Sequence, residues 1–187
     1  MPSPHPPPTG PDGPDPIDRP EDHLDGLGDR FMRAMELLQK GDQDRAAEIL
    51  RGILAVEPRL AEPHLEIARI LLDGGQLREA RAEAEEGLRL LEAKGQWLED
   101  LPEPVLLGLA HGLLAEILRQ IADTDEVVFG DPQVFRGLTR LARRHFAKAA
   151  ALDPENHHAS YHAFFLGVGQ QEEDAGEGTG EDDQLLG

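Results

Sequence analysis

The chain has 187 residues and a formal net charge of −19, with 37 acidic side chains against 18 Lys and Arg. Hydrophobic residues make up 39% and aromatics 4%, enough for one core of ordinary size but not two, and the wealth of Ala and Leu suits packed helices better than a sheet. With no cysteine there is no disulfide framework, thiolate metal site or cysteine nucleophile, and so negative a chain is poorly suited to general phosphate-backbone binding.

The first twenty residues hold nine prolines among Gly and Asp. Such a stretch neither forms helix nor buries a core, so residues 1–26 are expected to be a disordered leader. It lacks a basic start followed by an apolar run, so no secretory signal is expected and a cytoplasmic location is the default. Leu27, Phe31, Ala34 and Leu38 then fall at helical spacing, and Gly41-Asp42 stops the helix. Ala46, Ala47, Leu50, Ile53 and Leu54 give a second apolar stripe, closed by Pro58. Helix, Gly turn, helix and Pro stop predict an antiparallel helix pair.

The pattern then returns. Ala34, Gly41 and Ala46 recur as Ala68, Gly75 and Ala80, each 34 residues later. A fixed offset of this length marks a helical solenoid. A small side chain lets two helices approach, and glycine permits the tight turn between them. With Pro58, these residues resemble the tetratricopeptide repeat, with a first unit over 27–60 and a second over 61–94. In the second, Glu92 replaces the closing proline, so that helix is expected to continue towards Lys94.

A less regular third unit follows. His111, Leu114, Ala115, Ile117 and Leu118 echo His64, Ile67, Ala68, Ile70 and Leu71. Gly137, Ala142, Phe146, Ala149 and Pro154 match the family's second-helix pattern. Insertions are expected around 96–105 and 122–136, and His158 to Gly167 resembles a short capping helix. The resemblance implies an all-α solenoid of about three helix pairs plus a cap over residues 27–167, ahead of an acidic, disordered tail over 168–187. The apolar run from Val105 to Ala115 is too short to span a bilayer.

No Gly-rich phosphate loop or nucleophile elbow is present. Thr124, Thr139 and Ser160 sit in no triad context, and pairs such as Glu83 and Glu86 read as a solvated face. No enzymatic activity is expected. His158 and His162 are four apart and share a helix face, a spacing that can bind zinc or nickel. Only His157 or Glu155 lies nearby as a further ligand. The simpler reading is a polar rim on the cap, and no metal or cofactor is assigned.

Val134 to Leu152 contains no acidic residue. Arg136, Arg140, Arg143, Arg144 and Lys148 fall largely on one helix face, opposite Phe135, Leu138, Ala142, Phe146 and Ala149. The stripe reads as an anion-binding face for an acidic partner, as a clamp for the tail after Gln170, or as a solvated face. Nucleic acid fits least, for want of an aromatic platform.

The resemblance also implies a concave groove lined by the first helix of each unit. Carried onto this chain, it comprises Phe31, Met35 and Leu38, then Leu65, Arg69 and Leu72, then Glu116 and Arg119. The family's Lys and Asn clamp for a C-terminal carboxylate is absent there. An apolar groove suits a segment of another protein. The same side chains could instead be covered by the N-terminal arm or in a homodimer. The expected function is a non-catalytic protein-interaction adaptor. The alternative is a client chaperone that shields an apolar segment of a secreted or assembling partner.

Overall fold

A computed structural model describes the backbone of residues 20–98 and 101–176, and side-chain surroundings for 26–98 and 101–166. The expected leader up to residue 19 and the tail from 177 lie outside the described residues. Among the described residues the fold is all-α, with eight helices: α1 (Pro20–Gln39), α2 (Gln43–Leu54), α3 (Ala61–Asp73), α4 (Leu77–Lys94), α5 (Glu103–Ala122), α6 (Asp125–Val128), α7 (Pro132–Leu152) and α8 (His157–Gly176). α1 packs on α2, α3 on α4, α5 on α7 and α7 on α8, and each pair leans on the next through α2–α3 and α4–α5. This is the pairwise packing of a helical-repeat solenoid.

The 34-residue offset has a physical counterpart. Ala34, Ala46, Ala68 and Ala80 are all fully buried. Gly41 and Gly75 have φ of 80° and 71°, the left-handed region that favours glycine. The two turns carry the same hydrogen bonds. Asp42 N–H donates to Leu37 O at 2.9 Å, and Gln76 N–H to Leu71 O at 2.8 Å. Gly41 N–H reaches Leu38 O and Gly75 N–H reaches Leu72 O, both at 3.0 Å. These are Schellman closures, which satisfy the last carbonyls of each first helix. A further close approach comes at Gly87, where a Cβ would stand 2.9 Å from Leu65 carbons and 3.2 Å from the Ala61 carbonyl.

α3 begins at Ala61 and α4 ends at Lys94, the expected limits of the second unit. The third unit differs from expectation. α7 starts at Pro132, five residues before Gly137, so the connection after α5 is shorter than the expected insertion. Asp131 is its N-cap, accepting from Gln133 N–H at 2.8 Å, and Pro132 sits where a helix has no need of an N–H. α1 begins at Pro20 and α8 runs to Gly176, so the helical region is wider than 27–167.

α5 is central, touching α3, α4, α6 and α7. Its 20 residues are long and apolar enough to cross a bilayer by length and composition alone, more than its apolar run suggested. Here that apolarity is spent on packing, for Leu114, Ile117 and Leu118 are buried. Leu50, Ile53, Leu91, Ile117 and Leu118 are completely enclosed, and truncation of any to Ala is expected to cost about 2–5 kcal/mol.

Candidate functional site

The expected groove residues do not form one open surface. Phe31 and Leu65 are both only 7% exposed and belong to the core. Met35, Leu38 and Leu72 are half-buried against that core. The cause is the connection after α4, which folds back. Trp97 packs edge-on against Phe31 with ring centroids 5.8 Å apart. The buried Glu62 on α3 anchors it, its Oε1 accepting from Trp97 N–H at 2.6 Å and Leu98 N–H at 2.9 Å. The chain thus covers part of this apolar face itself. Arg69 is exposed and held by Glu66 at 2.6 Å. Glu116 and Arg119 are half-buried and bonded to each other at 2.7 and 3.0 Å.

The basic stripe lies on α7, with Ala142, Phe146 and Ala149 buried on the opposite side, while Phe135 near the start of the helix is exposed. Arg140, Arg144 and Lys148 are exposed, while Arg136 and Arg143 are half-buried. Among the described residues none of the five makes an ion pair. The acidic tail that could cover them falls largely outside the described residues.

Two surfaces were missed in the sequence. Tyr161, Phe164 and Phe165 on α8 are 56%, 67% and 54% exposed. The other side of α8 packs inward through Ala159, Ala163 and Leu166. The one-turn spacing from Tyr161 to Phe164 and Phe165 was legible, but not that Ala159 faced inward. The second surface is a cluster. Glu116 on α5 comes up to His158 and His162, and the three candidate ligand atoms lie within 4.8 Å of one another. His162 stacks on the buried Phe146 with centroids 4.9 Å apart and planes 20° apart. Burial, then the neighbouring His158 and Arg119 charges, push the His162 pKa down, which favours the neutral ring. Sequence alone had offered only His157 or Glu155 as a third ligand.

Two further histidines, His111 buried and His145 half-buried, meet without an evident chemical task. His111 on α5 meets His145 on α7, Nδ1 to Nδ1, at 3.0 Å. Burial, and then Lys148, lower the His111 pKa from 6.5 to about 4. Burial, then His111, Lys148 and Arg144, bring His145 to about 4 against the opposing pull of Glu92. His111 Nε2 lies 3.7 Å from Glu92 Oε1, but a neutral ring makes this a polar contact rather than an ion pair. Among known proteins, no family model and no curated protein matches this chain.

Proposed function

We propose that this chain is a non-catalytic protein-interaction adaptor of tetratricopeptide type, which docks a segment of another protein on α8 and the neighbouring α7. The observation that carries this reading is the exposure of Tyr161, Phe164 and Phe165 on a helix whose other side is already buried. A solenoid normally ends in a helix with a polar outer face. A helix apolar on both sides calls for a second neighbour. Each aromatic offers a large, stiff surface of the kind that anchors interfaces. The exposed Arg140, Arg144 and Lys148 on α7 favour acidic residues flanking the partner's apolar anchors. What supports the tetratricopeptide assignment is the 34-residue register shared by four buried alanines and two left-handed glycines.

The chaperone alternative needs an open apolar channel, and no observation favours it over the adaptor while Trp97 packs on Phe31. The test compares capture from the native host's extract by the unmodified chain and by a Tyr161→Ser/Phe164→Ser/Phe165→Ser variant, with circular dichroism as the check on folding. The variant is expected to stay helical and to lose the specific partner. Equal capture by both contradicts the reading. Sedimentation adds a control: a dimer that the variant dissolves assigns the face to a second copy of the chain instead.

A further inference from the structure

We propose that Glu116, His158 and His162 bind one divalent transition ion of the zinc type, tying α8 to α5. The donor set is two imidazole nitrogens and one carboxylate oxygen, which suits zinc or nickel better than magnesium or calcium. The ligands come from two helices separated in sequence. His158 and His162 stand one turn apart on α8, with ring centroids 4.5 Å apart. Glu116 Oε2 lies 3.9 Å from His158 Nε2.

Three observations make this more than a chance gathering of polar groups. First, Phe146 forms a rigid floor. It is fully buried, and it meets His162 face to face and His158 edge-on at 5.9 Å. Second, Glu116 is oriented. Arg119 Nε donates to Oε2 at 3.0 Å, while Arg119 and Gln120 both donate to Oε1, at 2.7 and 2.9 Å. Oε2 therefore keeps a lone pair for an ion, and Arg119 becomes an outer partner that fixes the ligand. The Arg119 charge is itself compensated by Asp123 at 2.6 Å. Third, closure is short. Ligand atoms around a tetrahedral zinc sit roughly 3.4 Å apart. From a spread of 4.8 Å, the exposed His158 has to move by on the order of 1 Å. Three protein ligands leave a coordination position for water or a partner's side chain.

The test is calorimetric titration of the full chain with zinc alone, repeated with cobalt, whose visible absorption reports coordination number. One saturable ion per chain is expected. His158→Ala, His162→Ala and Glu116→Gln should each weaken binding by at least about tenfold while helicity is kept. His157→Ala should leave binding unchanged. Absence of a saturable site in the unmodified chain overturns the proposal. So does binding that survives in the His158→Ala/His162→Ala double variant, or that Glu116→Gln leaves intact, since the latter describes a two-histidine surface site. Partner capture plays no part in these readouts, so the docking proposal stands or falls separately.

Discussion

His64 in α3 and His111 in α5 hold corresponding places in the repeat pattern, yet their surroundings are opposite. His64 Nδ1 donates to Glu83 Oε2 at 2.6 Å, and its Nε2 faces the Pro58 carbonyl at 3.2 Å. Burial alone would lower its pKa, but Glu83 and the Pro58 carbonyl, helped by the Glu86 charge, outweigh burial and raise it. His111 instead faces another imidazole amid Lys148 and Arg144, and is held at about 4. The contrast extends outward. In the first two units Arg33, Arg69, Arg81 and Arg89 are tied to carboxylates one turn away, and the inner apolar face is partly covered, with Phe31 and Leu65 buried. In α7 and α8 the arginines of the stripe are unpaired among the described residues, and aromatics stand exposed. The second half thus exposes contact chemistry that the first half largely satisfies within itself, and this difference is what supports the proposed docking face there.

The largest expected effect concerns the first half. Phe31→Glu or Leu65→Glu forces a carboxylate into the core and should cost at least about 3 kcal/mol in urea denaturation. A variant as stable as the parent would mean that this face is open after all. Next comes acid. A buried imidazole whose pKa is depressed binds fewer protons folded than unfolded, so stability falls as pH drops from 6.5 through about 4. For His111 this amounts to on the order of 3 kcal/mol. His111→Leu/His145→Leu should flatten the fall in that window, and an unchanged slope would remove the pair from the account.

His64 predicts the opposite sign at smaller size. Its raised pKa gives stability that is complete below about pH 6.5 and lost as pH rises through the folded value. Glu83→Gln should therefore cost about 1–2 kcal/mol at pH 6 and progressively less above pH 7, measured by denaturation at both pH values. The smallest effect belongs to the stripe. Arg140→Gln/Arg144→Gln should change stability by no more than about 0.5 kcal/mol. Partner capture should nevertheless become less sensitive to salt.

What was legible in the sequence was whatever recurs. Ala34, Ala46, Ala68 and Ala80, with Gly41 and Gly75, state the same packing and turn twice, and periodicity exposes such contacts directly. The limits of α3 and α4 followed from that register. Non-repeating contacts left no such trace. Trp97 covers Phe31 because an insertion folds back onto Glu62, which no spacing encodes. Glu116 joins His158 and His162 only through the way α8 settles across α7 beside α5. The start of α7 was readable from Asp131-Pro132, but the family pattern pointed to Gly137 instead.

The docking proposal places partners on α8 and α7 rather than on the inner face of α1 and α3. Hydrogen exchange of the chain, free and bound to the partner it captures, tests this most directly. New protection is expected within residues 157–166 and along α7, with little change in 27–38 and 65–72. Protection confined to 27–38 and 65–72, with α8 exchanging as in the free chain, would contradict it.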